Sequence, residues 1–250
     1  DAWHAANDNQ PETLPARWKS LAPGLIAGQA RLLEDTPLIT QEALPVQAAE
    51  QITGLFATTD SEVMSISAYL IPSSELLAMA QSLTAQGVRI RALTNSLASN
   101  NHIPAHTAYR HRRRELLEAG VELHEFRPDA GERSHFEAPG FGAEHVGLHA
   151  KILVLDQRLV FVGTINADPR SMVLNTEVSL VIDSPKLATA ITEAFSPDFL
   201  PVNSWRVTLN EQDEMQWHSS EGTTGTQPAG SVWQRLGDAL FGILPIDTQM

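Results

Sequence analysis

The chain contains no cysteine, which removes disulfides and thiolate metal ligands from consideration and leaves the redox compartment open. No apolar run approaches the roughly 18 residues of a membrane-spanning helix. Basic residues are scarce: 17 Lys and Arg stand against 30 Asp and Glu, giving a formal net charge of −13. That balance argues against holding nucleic acid by bulk attraction, while leaving room for a local cationic pocket. Only three lysines occur, Lys19, Lys151 and Lys186. The first residue is Asp1 rather than Met and no signal-peptide pattern follows, so the sequence is expected to be a piece of a longer protein. What is present, 42% apolar residues over 250, suffices for a buried core in one large domain or two small ones.

Residues 1–40 read as a linker and N-terminal extension, with helical character around Leu21–Leu33. Residues 41–218 read as one catalytic domain, opening with a helix over about 46–57. The pattern then alternates: a strand over 62–71, a Ser-capped helix over 73–87, a strand over 88–95, a helix over 105–120 and a strand over 121–128. Such alternation implies right-handed crossovers, hence an α/β fold with a mixed, largely parallel central sheet flanked by helices. A long loop over 129–147 follows, then strands over 148–156, 159–166 and 176–183, a helix over 184–195 and a strand at "SWRVTLN". Residues 219–250 read as a flexible Gly/Thr/Ser-rich linker and a C-terminal amphipathic helix bearing Trp233, Leu236, Leu240, Ile243 and Leu244 on one face.

The chemistry concentrates in "HVGLHAKILVLDQRLVFVGTINADPRS", residues 145–171. Side chains two apart on a strand share a face, so His149 and Lys151 point together while Ala150, Ile152 and Val154 point away. An unpaired charge on a buried strand costs several kcal/mol, and a bound phosphate would offset that cost. Lys151 offers a point charge with three donors, and His149 can donate to phosphorus-bound oxygen or attack phosphorus. Thr164 and Asn166, again two apart, add a hydroxyl and an amide to the phosphate-binding set. Glu177 on the following strand is placed to hold the His149 imidazole through its second nitrogen.

The spacing His149, Lys151, Asp156, Gly163, Thr164, Asn166 resembles the His-Lys-Asp (HKD) signature of the phospholipase D superfamily, and Glu177 matches the acidic residue that follows it there. Further stretches, "ISAYLIP", "GVRIRALTNSLAS", "AHTAYRHRRRELLEAGVELHEFRP", "DPRSMVLNTE" and "LPIDTQM", are similar to the C-terminal half of bacterial cardiolipin-synthase-type proteins, across most of residues 40–250. Such enzymes carry two signatures that build one active site, and this chain has one. The resemblance therefore implies a second HKD half, either an upstream part of the same protein or a symmetric copy, as in the small nucleases of the superfamily. It implies a phosphatidyltransferase or phosphodiesterase working through a phosphohistidine, with His149, Lys151, Asp156 and Glu177 as the catalytic set and Lys151, Thr164 and Asn166 binding phosphate. It implies no cofactor and no metal ion, since lysines supply the positive charge. The substrate it implies is a phosphatidylglycerol-like phospholipid, met peripherally at the cytoplasmic face of a bacterial inner membrane. The alternatives are a homodimeric single-signature phosphodiesterase or nuclease, against which the acidic charge counts, and a non-catalytic phosphate-binding half. Which histidine is nucleophile and which is general acid stays open.

Other polar residues carry plainer expectations. Asp156 ends a strand before a turn, where a structural role is as well supported as a catalytic one. Gly163 is expected to permit close backbone approach. The run "RHRRR" at 110–114 is expected to be a solvated helix face paired with Glu115 and Glu118, in preference to a lipid-headgroup site. His106 and Tyr109 are substrate-pocket candidates near the loop at 95–104. His102 and His145 have no evident partner, and Arg170 is expected to brace an acidic neighbour. The tail helix is expected either to dock on the domain or to lie on a membrane surface.

Overall fold

Apolar residues fill both faces of "KILVL" and alternate less strictly in "LVFVG", the mark of strands buried inside a sheet rather than at its rim. The computed structural model of the chain describes residues 19, 22–36, 47–100, 102–129 and 147–242. Within them, those two segments become β5 (Lys151–Leu155) and β6 (Leu159–Gly163), central members of a ten-stranded sheet. The other strands are β1 (Gln29–Glu34), β2 (Glu62–Ser67), β3 (Arg89–Asn95), β4 (Glu122–Phe126), β7 (Val178–Asp183), β8 (Ser204–Leu209), β9 (Met215–Ser219) and β10 (Gly222–Thr224). Their order is β1-β7-β6-β5-β2-β3-β4-β8-β9-β10.

Parallel pairing is confined to β2–β3 and β3–β4, and every other pair is antiparallel. The expected α/β class holds, but the sheet is not largely parallel. Helical crossovers to a parallel neighbour join only β2 to β3 and β3 to β4. From β5 onward the chain returns mostly through short turns, and short turns make antiparallel neighbours.

The helices are α1 (Ala48–Ala57), α2 (Ser74–Ala85), α3 (Ile103–Glu118), α4 (Pro185–Phe195) and α5 (Val232–Phe241). The Ser73 and Ser184 hydroxyls cap α2 and α4 by accepting from Leu76 N and Leu187 N. One face of the sheet packs against α1, α2 and α3 through Phe56, Leu77, Leu83, Ala108, Tyr109 and Leu116. The other is partly covered by α4, whose Leu187, Ile191 and Phe195 sit with Met64, Ile66, Val154 and Val160. Beyond α4 an apolar stripe stays open: Leu32, Leu180 and Val162 lie side by side across β1, β7 and β6, and all three are exposed.

The ends of the chain depart from expectation. The segment expected as helical around Leu21–Leu33 holds instead β1, which adds to β7 in antiparallel register from Gln29–Asp183 to Glu34–Val178. Residues 219–230 are no free linker: β10 pairs with β9, and Gln227 reaches under α3. Residues 130–146, which cover nearly all of the expected long loop and include His145, lie outside the described residues.

The run at 110–114 is also more than a solvated face. Arg112 pairs with Glu115 at 3.0 Å and Arg114 with Asp213 at 2.6 Å, but Arg113 is buried. Its guanidinium lies 2.8 Å from Glu125 and stacks over Tyr109 and Trp217 at 4.9 and 5.1 Å. Tyr109 Oη and Trp217 Nε1 both donate to the Glu125 carboxylate at 2.9 Å, and Arg113 Nη1 donates to Gln227 Oε1 at 2.8 Å. Gln227 in turn meets His106 Nε2 at 3.2 Å. His106 and Tyr109, expected at a substrate pocket, are therefore corrected to inward-facing members of a buried brace that ties α3 to β4, β9 and the segment after β10. Burial, then the positive charge of Arg113 and Arg110, holds the His106 imidazole neutral, and burial raises the Tyr109 phenol.

Two stability outcomes follow from these buried groups. Arg113→Ala strands the Glu125 carboxylate and should lower unfolding free energy by about 3–5 kcal/mol in urea titrations. Burial also depresses the His124 imidazole to about 4, against 6.5 when unfolded. Between those values the unfolded chain binds the extra proton, so stability present above 6.5 is lost as pH falls toward 4. Replacing His124 with Gln should remove about 1.4 kcal/mol per pH unit from that slope, read from urea midpoints across the interval.

Candidate functional site

The site forms where β5 begins and β6 ends. Asn95, buried at the end of β3, positions the approach: its Nδ2 donates to Leu148 O at 2.8 Å and to Ala68 O at 3.0 Å, and its Oδ1 accepts from Leu148 N at 2.8 Å. Ala68 N donates to Ala150 O at 3.1 Å. The residues on either side of His149 are thus pinned to neighbouring backbone, while the His149 side chain itself is exposed. Gly147 permits this path, because a Cβ there would lie 2.8 Å from Ser99 O.

Lys151 opens β5 opposite Ser67 of β2. It is half-buried, and its Nζ donates to His149 O at 3.4 Å, a long contact. Burial lowers its affinity for the proton, opposed by the nearby charges of Glu177 and Asp168. No carboxylate lies within ion-pair distance of Lys151 among the described residues. Asn166 comes alongside because the loop after β6 is stitched to the segment after β2: Ala167 N donates to Ser67 Oγ at 3.2 Å, and Ile71 N donates to Ala167 O at 2.6 Å. Lys151, Asn166 and Ser67 share the wall of one cavity of about 120 Å³, otherwise lined mainly by apolar side chains and running toward α1 and α2. Asn166 is buried with Oδ1 unpartnered, an arrangement that costs free energy unless something else occupies the site.

Thr164 and Glu177 are brought together with each other rather than with the imidazole. β6 ends at Gly163, so Thr164 falls beyond the strand and does not share a face with Asn166 as expected. Its hydroxyl donates to Glu177 Oε2 and accepts from Val178 N at 3.0 Å. Glu177 Oε1 accepts from Asn175 Nδ2 at 3.0 Å. Both Glu177 oxygens are engaged, and the expected bond from Glu177 to His149 is not among the contacts of the described residues. The negative charge of Glu177 reaches Lys151 through space instead. Gly163 does allow a close approach: a Cβ would meet Ser179 Oγ at 2.0 Å.

Asp156 sits five residues from Lys151, about 16 Å along the strand. Its φ of 51° marks a tight turn. Its carboxylate accepts from Asp60 N at 3.0 Å, Ser61 N at 2.8 Å, Ser61 Oγ at 2.7 Å and Glu62 N at 3.1 Å. Desolvation pushes its acidity one way, and these hydrogen bonds outweigh it and hold the carboxyl below its usual range. The geometry makes Asp156 a clamp at the far end of the sheet, not a group at the site.

Three further positions stand out. Asp168, which the sequence did not single out, is buried near Lys151 and Glu177 and accepts from Ser171 N at 2.8 Å. Burial raises its carboxyl, with the Glu177 charge adding to the effect. The signal available was its position two residues after Asn166. His102 has a local role as the cap of α3, accepting from Ala105 N at 3.3 Å. Arg170 is exposed and forms no ion pair among the described residues, contrary to the expected brace.

The chain resembles known proteins in both sequence and fold. Residues 55–199 match the family described as "Cardiolipin synthase, PLD-like domain". Cardiolipin synthase C of Escherichia coli K12 is 32% identical over 230 residues, covering 89% of this chain and 48% of that protein. Cardiolipin synthase A of Buchnera aphidicola subsp. Schizaphis graminum is 29% identical over 159 residues, covering 62% and 29%. The chain therefore spans about half the length of the first relative and less of the second. Among solved structures, the phospholipase D family member Nuc from Salmonella typhimurium aligns with a TM-score of 0.50 at 14% identity, over 68% of this chain and 93% of that one. That likeness concerns the fold alone.

The two ends of β5 should respond oppositely to charge removal. Asp156→Ala leaves three backbone donors without their acceptor and should cost about 1–3 kcal/mol of stability. Lys151→Met removes an unpaired, half-buried ammonium and should leave stability within about 0.5 kcal/mol of wild type or raise it. Paired urea denaturation curves check both.

Proposed function

The chain belongs to the phospholipase D-like domain family of cardiolipin synthases, and from that premise we propose that it supplies one half of a phosphoryl-transfer site acting on phospholipids. The observation that carries this reading is that, among the described residues, a half-buried Lys151 without an ion pair and an exposed His149 whose imidazole makes no hydrogen bond stand at the same strand end. A phosphodiester would satisfy both groups, with the Asn166 amide contributing a third contact.

In the proposed reaction, a nitrogen of one histidine attacks phosphorus and the bond to the leaving alcohol breaks. A second histidine gives that alcohol its proton. The acceptor hydroxyl then loses its proton to the second histidine and attacks the phosphohistidine, restoring the first. Lys151 and Asn166 stabilise charge on the non-bridging oxygens. Glu177 holds Thr164 and the strand end in place, and its charge, with that of Asp168, opposes the loss of proton affinity that burial imposes on Lys151. Asp156 serves the fold.

His149 is one histidine of the two, and the other must come from a second lobe. The open apolar stripe Leu32–Leu180–Val162 supports such a lobe, since exposed contiguous apolar surface marks interaction sites. An upstream half of the same protein fits the two-fold greater length of the E. coli relative; a symmetric copy is the other source. The lipid reading takes its support from the family match and from the apolar cavity behind Lys151. It places the protein peripherally on a bacterial inner membrane.

His149→Ala in the intact protein should reduce phosphatidyl transfer or release by about 10²–10⁴-fold while leaving vesicle binding unchanged. Turnover with phosphorus-labelled lipid, quenched in detergent at neutral to alkaline pH where the phosphorus–nitrogen bond survives, should trap label on histidine. Activity within about tenfold of wild type would remove His149 from the chemistry.

A further inference from the structure

α5 is held by its polar side. Asp238, 3% exposed, accepts from Thr107 Oγ1 at 2.9 Å and pairs with Arg110 at 3.0 Å. Gln234 Oε1 accepts from Gly230 N at 2.8 Å, and Gly237 lies against Ile103, where a Cβ would stand 3.1 Å from Cδ1. With that side fixed to α3, the opposite side faces outward. Val232, Trp233, Leu236 and Leu240 are 69%, 81%, 55% and 65% exposed. On helical geometry they span an arc of about 100°, centred opposite Asp238. A surface helix normally does the reverse, burying its apolar stripe against the domain.

We propose that the outward face of α5 is the element that seats this protein on the membrane interface, with anionic phospholipid beneath it. The inference deepens the lipid reading above, on which it rests, by naming the contact. Charge favours a bilayer. In a chain of net charge −13 this helix has one acidic residue, and it points inward. Arg235, exposed and without an ion pair among the described residues, flanks the apolar arc where a lipid phosphate would lie. Trp233, the most exposed of the apolar residues, has the amphipathic ring that settles at headgroup depth. Size argues against a protein partner: four side chains on a convex helix fall far short of the roughly 20–30 residues a side of a stable interface. Among the described residues no helix is long and apolar enough to cross a membrane, so contact of this kind is interfacial.

The test is cosedimentation of the 250-residue chain with vesicles of phosphatidylglycerol and phosphatidylethanolamine. Trp233→Ser, Leu236→Ser and Leu240→Ser combined should lower the vesicle partition coefficient by roughly tenfold or more, with an unchanged urea midpoint. Leu32→Ser with Leu180→Ser, on the open sheet face, should leave partition unchanged. Arg235→Glu should weaken binding to phosphatidylglycerol vesicles and spare neutral phosphatidylcholine ones. Unchanged partition in the triple variant would overturn the proposal, and so would a concentration-dependent dimer that the same substitutions abolish. Cosedimentation needs no turnover, so failure of lipid transfer by the wild type would sink the functional reading alone.

Discussion

A half-buried ammonium with no carboxylate at ion-pair distance among the described residues sets the character of this site. Lys151 contrasts with Arg113, a cation that the fold buries outright. Arg113 is buried and compensated by Glu125, two aromatic faces and Gln227. Among the described residues, Lys151 has the distant fields of Glu177 and Asp168 and a long contact to a carbonyl. A structural cation is surrounded until its charge is spent. A cation meant for an anionic ligand must keep its donors free, so the desolvation cost that Glu125 offsets for Arg113 stays uncompensated for Lys151 until a ligand binds.

The scaffold divides that labour along β5. At the end bearing Asp156, a carboxylate saturated by three backbone amides and a hydroxyl locks the β5–β6 turn to the start of β2. At the end bearing Lys151, rigidity comes from groups other than the site side chains. Asn95 grips Leu148, Ser67 grips Ala167, and the Thr164–Glu177 pair closes β6 onto β7. None of these bonds consumes the side chains of His149 or Lys151. The site is thus held without being satisfied, which is what a preorganised binding position requires.

Much of this was legible in the sequence where local rules dominate. The serine caps of α2 and α4, the apolar runs of β5 and β6, and the spacing of His149, Lys151 and Asn166 are set by neighbours along the chain. What was not legible depends on partners far away in sequence. The sheet looked largely parallel because β2, α2, β3, α3 and β4 alternate, yet seven of its nine pairings are antiparallel. His106 and Tyr109 read as substrate-pocket residues because they follow the loop at 95–104, near the strand ends. Burial beneath Gln227, more than 100 residues on, decided otherwise. The turn-forming tendency of Asp156 was visible, but its acceptor role was not, since all four donors come from residues 60–62. β1 was misread as helical because an edge strand with one buried residue carries little period-two signal.

In the proposed reaction, sheet order also limits how the second histidine could reach a phosphate held at Lys151. β5 lies three strands from the β1 edge, about 14 Å at ordinary strand spacing. A partner that paired with β1 edge to edge would keep its own groups at least that far from Lys151. Approach must therefore be over a face or around the strand ends. On the α1–α2 face, Lys151 and Asn166 are backed by a closed helical layer. On the other face, α4 stops short and leaves Leu32, Leu180 and Val162 open next to the strand that ends at Gly163. A lobe seated on that stripe would cover β6 and stand beside the strand ends where Asn166 and His149 emerge. On the proposed reading, the same uncovered apolar surface gives the second half its seat.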